Sequence, residues 1–177
     1  MGSLRDHEGA GLDEELVYFC LGSNLGDRKA NLEFGISGLK EAGVEIVRRS
    51  SLYETEPVEL EDQPWFLNQV VAGRTSLPPR ALLAACKRIE RDAGRREAVR
   101  FGPRVLDIDV ILYKGMVVHE PELVIPHPRM LNRRFVLIPL LEIAPDIRDP
   151  ETGVALAQVL AGLDEGKKVA KLKGNRF

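Results

Sequence analysis

A chain of 177 residues with 44% hydrophobic and 29% charged residues has the composition of one folded domain, not of a disordered protein. Its formal net charge of −2 argues against a general nucleic-acid-binding protein, which is usually strongly basic. Residues 1–15 lack the apolar core of a secretory signal, and no apolar run reaches the roughly 20 residues of a membrane span, so we expect a soluble, cytoplasmic protein.

The first half of the chain predicts a strand, a helix and two further strands, in that order. An apolar run predicts a buried strand over 16–22, and Asp27 is placed to cap a helix that ends near Gly43. Alternating apolar residues predict strands over 44–55 and 65–76, joined by an acidic loop with two prolines. The two cysteines of the chain have no partner motif and are predicted to be reduced core residues.

A second helix and a fourth strand follow. Consecutive prolines open a helix predicted over 78–94, which a glycine closes. The arginine-rich residues 95–103 have no apolar periodicity and are predicted to be a loop. The fourth strand is predicted over 104–115.

The C-terminal region predicts short extended pieces at 116–126 and two helices at 130–144 and 153–163. Pro139 is expected to kink or split the first of these helices. Residues 166–177 are basic and are expected to form a loosely held tail.

The order βαββαβ is typical of the ferredoxin-like α+β fold, in which helices pack on one face of a mainly antiparallel sheet. Extra elements follow at the C-terminal end. We therefore expect a flexible leader over 1–15, a single domain over 16–165 and a basic tail over 166–177. The fold alone names no function.

Two aspartates interrupt the apolar fourth strand, 104-RVLDIDVILYKG-115. Asp107 and Asp109 are two residues apart, so they share one face of the strand, with Cα atoms about 6.6 Å apart. Paired carboxylates are hard ligands that suit Mg²⁺ and substrate phosphates, which predicts a site for two cations and a polyphosphate. The alternative is that this face of the sheet is simply exposed to water.

Arginines are concentrated just before these aspartates, at Arg88, Arg91, Arg95, Arg96, Arg100 and Arg104. The planar guanidinium group matches phosphate oxygens in pairs and stays charged. The cluster therefore favours a magnesium–nucleotide triphosphate as ligand. The alternative is a solvated helix face on which Glu90 and Asp92 are the salt-bridge partners.

Further candidate residues flank this region. His127 lies between two prolines and is placed to donate a hydrogen bond to phosphate, but we do not expect it to bind metal. Phe66 and Asn68 share a strand face, and a ring with an amide can stack on and read a flat heterocycle, with Phe101 or Phe135 opposite. Alternatively, the rings are core aromatics and the histidine has a structural hydrogen bond.

Several ordered blocks resemble the 6-hydroxymethyl-7,8-dihydropterin pyrophosphokinase family of folate biosynthesis, over about residues 17–146. The blocks are YFCLGSNLGD, SSLYETEPVELEDQPWFLNQVV, RFGPRVLDIDVILY and VIPHPRMLNRRFVLIPLLEIAP. The resemblance implies an ATP-dependent enzyme that transfers pyrophosphate to the pterin hydroxymethyl group and releases AMP, with two Mg²⁺ ions. It implies small-molecule partners, with no nucleic acid or membrane, and admits contact with other folate-pathway enzymes.

The resemblance also implies roles for individual residues. The metal ions would be held by Asp107 and Asp109. The triphosphate would be contacted by Arg95 or Arg96, Arg100, Arg104, His127 and Arg133, with Arg104 and one of the first two arginines catalytic. The nucleotide site would be lined by Glu90 and Val110. The pterin pocket would be formed by Thr55, Val58, Phe66, Asn68, Phe101 and Phe135.

Departures from the family pattern and two rival functions bear on this interpretation. Phe101 stands where the family often has Trp, and Glu56 replaces a common proline. One rival is a nucleotidyltransferase, which would release pyrophosphate. In that class the paired acidic residues follow a Gly-Ser pair closely in sequence, whereas Ser23 and Asp107 are far apart in this chain. The other rival is an RNA-binding module of this topology, which needs exposed aromatic residues on its middle strands. The fourth strand of this chain carries aspartates there instead.

Overall fold

The computed structural model describes residues 11–58, 60–94 and 102–173. The strands in these ranges are Val17–Ser23 (β1), Glu45–Arg49 (β2), Tyr53–Thr55 (β3), Phe66–Arg74 (β4), Asp107–Tyr113 (β5), Val118–Glu120 (β6), Leu123–Ile125 (β7) and Val169–Lys171 (β8). The α-helices are Arg28–Glu41 (α1), Pro79–Asp92 (α2), Arg134–Ile143 (α3) and Leu156–Ala161 (α4), and Met130–Asn132 form a 3₁₀ turn.

Local signals in the sequence fix the ends of the first two helices. The Asp27 side chain accepts a hydrogen bond from the Ala30 N–H at 3.0 Å and so caps α1. A proline occupies the first turn of α2, where a missing N–H costs little. Gly43 and Gly94 follow the two helices with φ values of 106° and 99°, which glycine adopts readily. Both predicted helices are therefore confirmed.

The main sheet has the order β5-β1-β4-β3-β8, and β2 also pairs with β4. Every pairing between the described strands is antiparallel. The ferredoxin-like arrangement predicted from the sequence is confirmed. The strand predicted over 44–55 is instead two strands, because the Val70 N–H donates to the Ser50 hydroxyl at 3.0 Å and interrupts the ladder.

Helices cover both faces of the sheet, so the expectation that they pack on one face was wrong. Alternate residues of β1 enter two different cores: Phe19 packs with residues of α1 and α2, and Tyr18 packs with residues of α3 and α4. The C-terminal helices carry buried leucines, such as Leu140 and Leu156, which need an apolar surface of their own. The second face of the sheet provides it.

The C-terminal region is more ordered than its sequence predicts. Pro139 lies within α3 and does not split that helix. Residues 169–171, placed in a loose tail by the sequence, form β8 and pair with the edge strand β3. Pairing satisfies backbone groups of β3 that would otherwise form an open sheet edge.

The N-terminal leader is anchored at its end. Residues 11–15 are helical, and Asp13 is buried. The Arg48 guanidinium binds the Asp13 carboxylate at 2.5 Å and the Ile143 carbonyl at 3.0 Å, so the end of the leader is fixed against α3. Among the described residues, no helix combines the length and the apolar character needed to cross a bilayer.

Glu142 connects α3 to the β3 side of the sheet. Its carboxylate accepts hydrogen bonds from the Ser51 hydroxyl at 2.6 Å, the Ser51 N–H at 3.1 Å and the Tyr53 hydroxyl, and Lys171 of β8 lies 3.7 Å away. Burial alone would raise the pKa of Glu142, but the donors from Ser51 and Tyr53 outweigh it and lower the pKa. The charged carboxylate therefore stabilises this corner of the fold.

We predict that Glu142→Gln lowers the free energy of unfolding at pH 7 by about 1 kcal/mol, the range for partly exposed hydrogen bonds to a charge. Because the folded pKa lies below the unfolded value of about 4.3, the carboxylate stabilises the fold above that pH and ceases to do so as the pH falls through the folded pKa. Urea unfolding from pH 7 to 3.5 should show wild type and variant converging. A constant difference across that range would contradict the prediction.

Candidate functional site

A cavity of about 430 Å³ lies between the sheet face that carries the strand aspartates and the N-terminal end of α3. Ten of the residues predicted for the site line it: Thr55, Val58, Phe66, Asn68, Arg104, Asp107, Asp109, His127, Arg133 and Phe135. These residues come from distant parts of the chain. The fold therefore brings together the residues that were predicted to bind metal ions, phosphate and a heterocycle.

Two predicted residues do not line this cavity. Glu90 is buried on α2, and Val110 packs in the core that α1 and α2 share with the sheet. Val110 points to the sheet face opposite Asp109, because side chains alternate along a strand. Four further predicted residues lie outside the described residues: Arg95, Arg96, Arg100 and Phe101.

Asp107 and Asp109 face the cavity because β5 is anchored on its other face. Ile108, between them, is buried in the apolar core, whereas the aspartate side chains are 32% and 53% exposed. The residues opposite them on β1 are small: Gly22 faces Asp107 and Cys20 faces Asp109. Small neighbours leave open space above the pair of carboxylates.

A β-bulge aligns His127 with this pair. The register between β1 and β5 shifts so that Tyr18 faces Leu112 but Phe19 faces Val110, which leaves Ile111 without an opposite residue. The Ile111 carbonyl accepts a hydrogen bond from the His127 N–H at 3.1 Å. The His127 Nε2 atom then lies 4.0 Å from an Asp109 carboxylate oxygen.

Cationic groups surround His127 and the aspartates. The Arg104 Nε atom lies 3.9 Å from an Asp107 carboxylate oxygen, and Arg129 and Arg133 also line the cavity. Burial, followed by the charges of Arg133 and Arg129, lowers the pKa of His127 to about 4. The imidazole is therefore neutral at pH 7, and the arginines supply the positive charge of the site.

The other end of the cavity combines aromatic rings with a buried amide. The Asn68 Nδ2 atom donates to the Thr55 hydroxyl at 2.5 Å, and both residues are buried. Phe66 and Phe135 line the same end, and the Arg133 guanidinium lies 5.3 Å from the Phe135 ring centroid. Rings with a fixed amide suit a flat, polar heterocycle.

Asn24 joins two walls of the cavity, a role that the sequence did not reveal. Its Nδ2 atom donates to the Gln63 side chain at 3.0 Å and to the Pro64 carbonyl at 2.9 Å, and its Oδ1 atom accepts from the Arg104 N–H at 2.7 Å. Ser23, the residue before Asn24, is the last residue of β1.

The site residues assigned from the sequence do not include the other lining residues, namely Cys20, Gly22, Glu56, Gln63, Gly102, Pro128 and Arg129. Arg129 lies in the run 126-PHPR-129 with His127, and this proximity in sequence could have identified it as a site residue. Cys20 enters the site only through strand pairing, for which the sequence gives no local signal. Burial, with the nearby Asp109 charge, raises the pKa of its thiol, so Cys20 is a protonated, uncharged neighbour of the carboxylates.

The donor set fits magnesium bound together with phosphate. In the described ranges, no three His, Cys, Asp or Glu side chains converge to form a closed metal site. Magnesium does not require such a cage, since it keeps several waters and takes one or two carboxylates plus substrate phosphates. The partly exposed Asp107 and Asp109 carboxylates, at an open cavity lined with arginine, meet this requirement.

The sequence matches known proteins over most of its length. A family model described as 7,8-dihydro-6-hydroxymethylpterin-pyrophosphokinase (HPPK) matches residues 18–145. The 2-amino-4-hydroxy-6-hydroxymethyldihydropteridine pyrophosphokinase of Bacillus subtilis is 40% identical over 85% of this chain and 95% of its own length. The protein of the same name from Methylorubrum extorquens is 45% identical over 84% of this chain and 93% of its own length.

Longer proteins also contain a matching region. The mitochondrial folate synthesis bifunctional protein of Arabidopsis thaliana is 44% identical over 78% of this chain, which spans only 25% of that protein. A crystal structure of a Plasmodium falciparum HPPK-DHPS triple mutant with SDX-DHP aligns with a TM-score of 0.66 and 16% identity. That alignment covers 90% of this chain and 50% of the Plasmodium chain, and it supports the fold.

We predict that Gly22→Ala destabilises the protein through Asn68. A Cβ atom on Gly22 would lie 2.6 Å from the Asn68 Oδ1 atom, so the amide must turn away from Thr55. We expect the free energy of unfolding to fall by about 1–3 kcal/mol in denaturant titration. Gly162→Ala is the matched control, because its Cβ would have no neighbour nearer than 3.6 Å. Equal stability of the two variants would contradict the prediction.

Proposed function

The chain belongs to the 7,8-dihydro-6-hydroxymethylpterin-pyrophosphokinase family, and we propose that it transfers a pyrophosphoryl group from ATP to 6-hydroxymethyl-7,8-dihydropterin. The products would be AMP and the pterin diphosphate. The observation that carries the proposal is a single cavity in which two strand carboxylates and several cationic groups lie beside aromatic rings and a buried amide. Such a cavity suits a nucleotide polyphosphate and a flat heterocycle together.

The phosphate end of the cavity is suited to neutralising charge. Asp107 and Asp109 are the residues that would hold two magnesium ions, which when bound neutralise charge on the transferred phosphoryl groups. Arg104 and Arg133 offer guanidinium donors for phosphate oxygens. His127, neutral at pH 7, adds a hydrogen-bond donor without repelling these arginines.

The aromatic end is suited to holding the pterin. Phe66 and Phe135 offer apolar surfaces for a flat ring, and Val58 adds to the wall. The hydrogen bond from Asn68 to Thr55 fixes the orientation of the Asn68 amide. The remaining donor and acceptor of this amide can then bind a heterocycle whose own acceptor and donor lie in matching positions. The carboxylates and the rings line one cavity, which would place the hydroxymethyl group near the phosphates.

The proposed step is an in-line displacement. The hydroxymethyl oxygen forms a bond to the β-phosphorus while the bond from that phosphorus to the oxygen bridging the α- and β-phosphates breaks. The bridging oxygen leaves with AMP, and the hydroxyl proton is lost. Such transfers need positioning and charge neutralisation more than covalent participation by the protein.

The proposal includes contact with a further enzyme of folate synthesis. Relatives named folate synthesis bifunctional proteins contain a region similar to this chain within a longer protein. A single polypeptide in those organisms keeps two activities together. We propose that this chain contacts a second enzyme of folate synthesis, either as a separate protein or as part of the same longer polypeptide.

Separation of the nucleotide products tests the proposed reaction. The protein is incubated with ATP, Mg²⁺ and 6-hydroxymethyl-7,8-dihydropterin, and we expect AMP to form in equal amount with the pterin diphosphate. Formation of ADP would indicate an ordinary kinase instead. Release of pyrophosphate would indicate a nucleotidyltransferase.

We predict that Asp107→Ala lowers the rate of AMP formation by about two orders of magnitude or more, because a metal ligand at the site of charge development is lost. Its free energy of unfolding should stay within about 1 kcal/mol of wild type, since the side chain is partly exposed. Asp146→Ala, at an exposed residue outside the cavity, is the control and should keep full activity. Retention of more than a few per cent of activity by Asp107→Ala would overturn this assignment.

A further inference from the structure

The C-terminal segment, residues 163–171, lies against the outside of the wall of the candidate site. A second cavity, of about 280 Å³, is lined by residues 163–169 together with Glu56, Val58, Arg133 and Phe135. The same four residues also line the site. They therefore form a shared wall, with the site on one side and the C-terminal segment on the other.

The C-terminal segment is bonded to the loop that follows β3. The Glu56 N–H donates to the Lys168 carbonyl at 3.1 Å, and the Lys168 N–H donates to a Glu56 carboxylate oxygen at 3.0 Å. Beyond this pair, the Lys167 Nζ atom binds the Glu61 carboxylate at 2.5 Å. Three interactions thus hold the loop from its outer side.

The same segment is bonded to α3 and β3. The Arg134 guanidinium donates to the carbonyls of Glu165 and Lys167, and Arg134 lies between Arg133 and Phe135 in the chain. Strand β8 continues the contact by pairing with β3, where Val169 faces Thr55. Three elements beside the aromatic end of the site, namely β3, the loop that follows it and the start of α3, therefore have partners in residues 163–171.

We propose that the C-terminal segment is a positioning element for the pterin: it holds Glu56 and Glu61, in the loop after β3, and the start of α3 at the spacing that the heterocycle requires. This inference rests on the proposed function. Lys167 and Lys168 do not line the site, so they act through Glu56, Val58 and Phe135. Asp107 and Arg104, at the phosphate end of the site, do not line the second cavity, whereas Arg133 lines both cavities.

The proposal predicts a selective loss of pterin affinity. Loosening the segment should weaken the pterin complex, because its pocket wall is no longer held, and should leave the ATP complex and kcat nearly unchanged. A merely structural role would instead lower stability and affect both substrates alike. The ratio of the two KM values is therefore the deciding measurement.

The first test removes one backbone donor. Lys168→Pro lacks the N–H that binds Glu56, and we expect the KM for 6-hydroxymethyl-7,8-dihydropterin to rise about three- to tenfold, with the KM for ATP within about twofold of wild type. Lys168→Ala keeps the N–H and should match wild type. Equal pterin KM values for the two variants would overturn the proposal.

The second test reverses charges and does not depend on a proline. Lys167→Glu and Glu61→Lys should each raise the KM for the pterin, and the double variant should restore it. Lys173→Glu makes the same charge change at an exposed residue just beyond the C-terminal segment, and it should leave the KM for the pterin unchanged. Failure of the double variant to restore the pterin KM would count against the proposal.

Calorimetric titration of the wild type separates this inference from the proposed function. Absence of pterin binding by the wild-type protein, in the presence of Mg²⁺ and a non-hydrolysable ATP analogue, would overturn the proposed function. Tight binding by wild type and by both Lys168→Pro and Lys167→Glu would leave the function intact and overturn the positioning role. Binding by wild type with selective weakening in both variants is the expected result.

Discussion

Two like charges on one face of a single strand are the constraint around which this site is built. Asp107 and Asp109 repel each other, and an arrangement of this kind is stable only where water or cations reach it. The fold meets the requirement by placing Gly22 and Cys20 opposite them, which leaves space, and by directing Arg104 towards the cavity. The anionic pair thus favours a ligand that brings its own metal ions.

Much of the fold was predictable because its signals are local. Asp27 and Gly94 mark helix ends through their own hydrogen bonding or backbone freedom, and the βαββαβ order follows from these signals together with apolar periodicity. The features that escaped prediction depend on partners distant in sequence. Ser50 interrupts a strand by bonding to Val70, and residues 169–171 become a strand only because β3 offers an open edge.

The same division applies to the site. Period-two spacing placed Asp107 with Asp109, and Phe66 with Asn68, on the correct faces. Spacing could not reveal Asn24, whose bonds to Gln63 and Arg104 span 39 and 80 positions of the chain. Glu90 and Val110 were carried over by family resemblance, and both lie outside the cavity, where the packing of α2 against the sheet puts them.

The bulge at Ile111 links the alignment of the site to that of the core. It frees a carbonyl that holds His127, and it shifts the inward and outward alternation of β5 by one position. If the present sequence paired regularly, with no bulge, either the acids or the apolar residues after Ile111 would lie on the wrong side of the sheet. The bulge thus allows one short strand to alternate water-exposed aspartates with buried residues before Ile111 and to carry only buried residues after it.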